Sequence, residues 1–330
     1  MKGVKLSILF TGIFIFLIGC SEGSKEVNVE DYPEDTLNVI IPFGSGGGTD
    51  LYMREIMDII DDKDLYDGDI KIENKEGGSG ATGWGYLESQ KGDPYYVGPT
   101  SGSFFTTPLV SDTNFQYDTF TPIALMGADD LFFLVDADSD YEDIDDFVDK
   151  AKEGKTMKLG GDGAVSDEMI VNTQFGEEAG FDYDYVPFQD AGELTSALLS
   201  GSLDAIVGNP QRSLGNIEGG EMEALAYSGE DNFEGLPDVP TFKEAGYDVN
   251  MSQPRGVILP DDVDPEVEEW WIDTMKEVAE TDEWKKFVED NGMSDRTLFG
   301  DDFKEFLEET SDKFEEGLEE ADIDESDVDQ

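Results

Sequence analysis

Histidine is absent from this chain of 330 residues, and cysteine occurs once, at Cys20. Without His, imidazole acid–base catalysis and imidazole metal ligation are excluded, and a lone thiol excludes any disulfide within the chain. Basic residues are scarce. Lys and Arg number 21 against 79 Asp and Glu, a formal net charge of −58, and arginine stands only at Arg54, Arg212, Arg255 and Arg296. Nucleic acid and anionic lipid head groups are poor partners for such a surface. An acidic surplus of this size often marks disorder. Here, however, 38% of residues are hydrophobic and 11% aromatic, and the acids are spread through apolar-periodic segments. A folded protein with a solvated acidic surface is the expectation. Salt screens the self-repulsion of such a surface, which points to a salt-loving source.

The chain starts with a targeting pattern. Lys2 and Lys5 precede an apolar run at 6–17, too short to span a bilayer. Leu17-Ile18-Gly19-Cys20 then reads as a lipoprotein cleavage site. The expectation is a signal peptide over 1–19, lipid on Cys20 and a polar tether over 20–35, with the mature protein held at the outer side of the cell membrane. The alternative is an ordinary signal peptide with an incidental cysteine.

The body alternates strand-like and helix-like segments, the pattern of an α/β fold. Strands are predicted at 37–41, 70–72, 95–97, 131–135, 157–160, 204–207 and 256–259. Helices are predicted at 50–60, from 80 to 88, at 144–152, at 165–179 and around Leu194, Ala197 and Leu198. After Pro265 the chain reads as helical to its end, where Phe303, Phe306, Leu307, Phe314 and Leu318 form one apolar stripe. No internal repeat is present.

The segment 41–50, IPFGSGGGTD, lies between a strand and a helix. Its glycines permit positive φ and close approach of a ligand. Thr49 or Asp50 can cap the following helix, and free N–H groups at a helix start favour an anion. The spacing fits neither a Walker phosphate loop nor GxGxxG, and no cofactor motif occurs elsewhere. The alternative is a tight turn that holds no ligand.

Around this loop the chain resembles the substrate-binding proteins of tripartite tricarboxylate transporters, the TctC or Bug family. The matching stretches are 41–50 (IPFGSGGGTD), 73–84 (ENKEGGSGATGW), 185–204 (YVPFQDAGELTSALLSGSLD), 236–246 (LPDVPTFKEAG) and 255–260 (RGVILP). They occur in the family's order and cover roughly 36–320. The resemblance implies a two-lobed periplasmic-binding-protein-like fold of type II, with the ligand in a cleft between two α/β lobes. Lobe 1 is expected from 36–128 with 256–330, and lobe 2 from 129–255. The resemblance also implies a non-enzymatic receptor that delivers a small di- or tricarboxylate to the transporter's membrane subunits. Carried over, the ligand site comprises Phe43, Gly46, Gly47, Gly48, Thr49, Asp50, Thr100 and Ser101 in the first lobe. The second offers Gly161, Ser166, Asp167, Phe188, Gln189, Gly192 and Asn209. Family members often carry His where this chain has Glu168. Either Glu168 faces away from the cleft, or the ligand brings a compensating positive group or a cation.

Arg255 either pairs a ligand carboxylate bidentately or pairs a neighbouring acid. Asp204 reads as a structural cap. Trp84, Trp270, Trp271 and Trp284 read as packing residues, with Trp284 lining the cleft as the alternative. Asp261, Asp262, Asp264 and Glu266 lack EF-hand spacing and read as a solvated acidic face rather than a cation site. Two other functions remain open: a ligand-sensing lipoprotein that docks a signalling receptor, and a secreted hydrolase. The hydrolase would need a Ser-Lys or carboxylate pair, and none stands out.

Overall fold

The computed structural model describes residues 32–320 except 155, 163–165, 189 and 190. The signal segment, Cys20 and most of the expected tether therefore lie outside the described residues, as does Gln189.

The first lobe is built on β1 (Leu37–Ile41), β2 (Ile70–Asn74) and β3 (Tyr96–Pro99), which pair in parallel, β1 in the middle. β1 reads LNVII with four of its five residues buried, as a strand covered on both faces must. Two long antiparallel strands, β4 (Phe120–Asp130) and β10 (Ser252–Pro260), and a short β11 (Leu298–Phe299) complete a six-stranded sheet, ordered β11-β4-β10-β3-β1-β2. β11 interrupts the helical C-terminal segment that the sequence suggested. Helix α1 (Gly48–Asp62) presents Tyr52, Met53, Ile56, Met57, Ile59 and Ile60 to this sheet. α8 (Pro265–Ala279) and α9 (Asp282–Asp290) join the same core through Trp271 and Trp284. Trp284 donates its indole N–H to Met126 O at 3.1 Å, so the packing reading holds. α2 (Ala81–Glu88) and α3 (Gly102–Val110) carry Trp84, Phe104 and Phe105 into a second core.

The second lobe is a five-stranded sheet, ordered β7-β6-β8-β5-β9. It comprises β5 (Phe132–Asp136), β6 (Met157–Asp162), β7 (Tyr183–Phe188), β8 (Ala205–Gly208) and β9 (Met222–Tyr227). β6 runs parallel to β7 and β8, and β5 antiparallel to β8 and β9. Helices α4 (Ile144–Lys152), α5 (Asp167–Ala179), α6 (Ala191–Leu199) and α7 (Pro210–Glu218) alternate with these strands. Asp204 accepts Lys158 N at 2.9 Å, a structural role.

β4 runs directly into β5, and β10 returns beside β4, so these two strands join the lobes. The boundaries expected at 128/129 and 255/256 fall inside them. A third link comes from α10 (Asp301–Glu320). Phe303, Phe306, Leu307, Phe314 and Leu318 are all buried, as the stripe predicted. Phe314 stacks on Phe105 of α3 with ring centroids 5.7 Å apart, while Gly317 lies against Ile170 of α5. One apolar cluster therefore runs through both lobes.

Candidate functional site

Four helices start at one place. α1 follows β1, α3 follows β3, α5 follows β6 and α7 follows β8, each at the carboxyl end of a parallel strand. Open α/β sheets bind ligands at such ends. Between the lobes lies a cavity of about 410 Å³, and its wall takes residues from the first turn of all four: Gly48; Gly102 and Ser103; Asp167 and Glu168; Gln211 and Arg212. Each helix start presents N–H groups with no intrahelical partner and a partial positive charge.

The α1 loop is held from below. Gly46 takes φ +88°, and its N–H donates to Asp50 Oδ2 at 2.9 Å. Arg54 Nε donates to the same oxygen and Asn74 Nδ2 to Oδ1, both at 2.8 Å. Asn74 Nδ2 also reaches Phe43 O at 2.8 Å. Burial pushes the Asp50 carboxyl up, but the bonds from Arg54, Asn74 and Gly46 outweigh it and hold the group at about 2. The expectation that Thr49 or Asp50 caps α1 is corrected. Gly47 is the cap residue, no side chain caps it, and both residues lie inside the first turn. Gly47 itself has φ −78°, so of the three adjacent glycines only Gly46 needs the left-handed region.

A cation meets this loop, which its sequence neighbours did not suggest. Arg255 stands on β10 where the register with β4 slips between Pro254 and Gly256. Such bulges re-aim a side chain. Arg255 is only 9% exposed. It pairs through Nη2 with Asp129, donates through Nη1 to Thr49 Oγ1 at 3.4 Å, and lies 5.6 Å from the Tyr52 ring centre. A methyl placed on Gly48 would fall 3.2 Å from Nη2. Burial works against the charge of Arg255, but Asp129 outweighs it and raises the pKa of the group further. Of the two readings of Arg255, pairing with an acid is the one observed. It lines the cavity as well.

On the α3 side, Ser101 caps the helix without a side-chain bond, and its buried hydroxyl has no partner among the described residues. On the lobe 2 side, Ser166 Oγ accepts Met169 N at 3.2 Å and Asn209 Oδ1 accepts Arg212 N at 3.2 Å. Asp167 crosses the cleft, where Gln253 Nε2 donates to it at 2.8 Å.

Residues 62–323 match the tripartite tricarboxylate transporter family receptor. The chain belongs to that family. Its members are binding receptors, not enzymes. Over 296 residues the receptor is 21% identical to the UPF0065 protein in the gbd 5′ region of Cupriavidus necator, covering 89% of each chain. Its fold is similar to a TctC solute-binding protein from Polaromonas, solved without ligand. The TM-score is 0.80 at 23% identity, over 87% of this chain and 99% of the other. Two Rhodopseudomonas palustris structures share the fold. One is MatC with bound malate (TM-score 0.66, 19% identity, 87% and 100% covered), the other a protein with adipate (0.70, 20%, 89% and 99%).

Among the residues expected at the receptor's site, the structure brings Gly48, Ser166, Asp167, Phe188, Asn209 and Arg255 to the cavity wall. Thr49 reaches it through its bond to Arg255, and Ser101 immediately precedes the wall residue Gly102. Others are placed elsewhere. Phe43 packs edge-on against Trp84 at 5.5 Å. Gly46 and Asp50 brace the loop as described, and Gly47 only precedes its helix. The Thr100 hydroxyl accepts Gly256 N at 2.9 Å and donates to Pro254 O at 3.3 Å, locking β3 to β10. Gly161 gives room to Tyr185 and Glu168, and Gly192 O accepts the Ser196 hydroxyl at 2.7 Å. Glu168 lies in the cavity wall. Missed from the sequence were Gly102, Ser103, Thr106, Asp129, Leu131, Gln211, Arg212 and Gln253. Arg212 carried one signal, its rarity: two of the chain's four arginines stand in this wall.

Proposed function

We propose that the protein is an extracytoplasmic receptor, anchored by lipid on Cys20, that captures a small organic di- or tricarboxylate and hands it to the membrane subunits of a tripartite tricarboxylate transporter. The observation that carries the reading is the convergence of four helix starts on one polar cavity beside Arg255 and Arg212. Four helix starts and two guanidiniums supply hydrogen-bond donors for an anion in a protein whose surface is otherwise acidic. One ligand carboxylate lies at Gly48, taking N–H bonds from the start of α1 and the guanidinium of Arg255. Ser101, Ser166, Asn209 and Phe188 line the remainder. Capture draws the lobe of 129–255 toward the lobe of 36–128 and 256–330. The acidic surface suits a salt-loving source. The bound malate and adipate of the related structures support the ligand class. A calorimetric screen of dicarboxylates, tricarboxylates and their amino and hydroxy derivatives, run at molar salt, tests it. At least one should bind with micromolar affinity or better, and Gly48→Val should abolish that binding by displacing the guanidinium. Failure of all of them, or undiminished binding by a folded Gly48→Val protein, overturns the reading.

A further inference from the structure

The cavity wall holds more carboxylate than capture of a plain dicarboxylate requires. Asp129, Asp167 and Glu168 stand in it against Arg212 and Arg255. Asp129 is matched with Arg255. Among the described residues, Asp167 forms no ion pair with a cation; Arg255 acts on it only from a distance.

Asp167 occupies the first turn of α5, next to the Ser166 cap, and is 5% exposed. Gln253 Nε2 serves its Oδ2 at 2.8 Å. Gly102 closes on it so tightly that a methyl there would fall 2.6 Å from Oδ2. The other oxygen, Oδ1, is buried and finds no hydrogen-bond partner among the described residues. The main-chain N–H of Asp167 also favours the charged form. Burial, opposed by Gln253 and Arg255, pushes the carboxyl up to about 6, the response of an acid short of donors. A buried carboxylate oxygen without a donor is a standing cost that a ligand can remove.

The chemistry of that ligand group follows. A carboxylate offers only acceptors and would add like charge beside Asp167. A hydroxyl offers one donor and no charge. A protonated amine offers up to three donors and the missing positive charge. We propose that the natural ligand is an amino-substituted carboxylate, whose ammonium group donates to Asp167 Oδ1 while its carboxylate takes the helix starts and Arg255. This rests on the carboxylate reading of the site given above and adds to it the feature by which the receptor selects.

Matched pairs test it: aspartate against succinate and glutamate against glutarate, titrated calorimetrically into the full mature protein at molar salt. The amino member of at least one pair should bind roughly 10- to 100-fold tighter, the range expected of a charged hydrogen bond. In Asp167→Asn that preference should fall to a few-fold and succinate or glutarate should bind more tightly than before. Asp167→Ser serves if the Asn variant does not melt cooperatively. If succinate and glutarate match their amino partners on the unaltered protein, the carboxylate reading stands and the role given to Asp167 is overturned. A preference that survives in both variants overturns it too. If no member of either pair and no other carboxylate binds, both readings fall together.

Discussion

Asp129 and Asp130 are neighbours on β4 with opposite fates. Pleating sends them to opposite faces. Asp129 meets the guanidinium of Arg255, whereas Asp130 meets hydroxyls, accepting from Ser252 and, at 3.2 Å, from Tyr227. Burial therefore pushes the Asp130 carboxyl up to about 6 despite those bonds. In the unfolded chain it returns to about 3.9. Between those values the folded protein keeps a proton that the unfolded chain has released. The resulting stability is fully present below about pH 4 and is lost as pH rises through about 6. Thermal melts at fixed high salt should show the unaltered protein losing more stability from about pH 4 to about pH 7 than Asp130→Asn does. Parallel curves would mean that Asp130 is ionised throughout. None of this is written locally in the sequence. Gly127-Ala128-Asp129-Asp130 reads as a polar interruption, and only the partner strand, more than a hundred residues later, supplies Ser252 and Arg255. The loop at 41–50 was legible because its glycines and helix start are contiguous. Asp167 and Arg255 were legible as candidates, but their partners were not.

At the level of elements, alternation of apolar strands and amphipathic helices was enough for the α/β class, and the stripe on α10 was read correctly. β7 and β9 escaped, and so did the joining strand β4. It is buried along most of its length, so it shows no period of two, and it passes straight into β5 without a turn. α7, short and with Gly215 in its interior, carries little helical signal of its own and relies on its Asn209 cap and Pro210. α10 gives a sharper expectation. Phe314 is fully buried between the lobes, stacked on Phe105. Phe314→Ala should cost about 3–5 kcal/mol in denaturant titrations, the usual loss for a buried aromatic ring. A loss below about 1 kcal/mol would show that α10 contributes little beyond its own turns.

For the whole molecule, the net charge of −58 sets the terms. Several surface lysines are already engaged, as in Lys63 with Glu283, Lys91 with Asp261 and Lys286 with Asp290, yet exposed pairs of this kind contribute little each. Most of the repulsion is left to the solvent. Raising salt from about 0.1 M to about 1 M shortens the screening length from about 10 Å to about 3 Å. The melting temperature should climb across that range, and a flat response would show that the acids are compensated within the fold. The same charge has a kinetic face. An anion diffusing toward the four helix starts must first cross the negative field of everything around them. Electrostatic steering, which in most receptors speeds encounter and fades with salt, here works in reverse. Stopped-flow measurements should find association accelerating as salt is added, steeply for a trianion, less for a dianion and hardly at all for a zwitterion without net charge. In dilute buffer the receptor would hold its ligand well and yet meet it slowly.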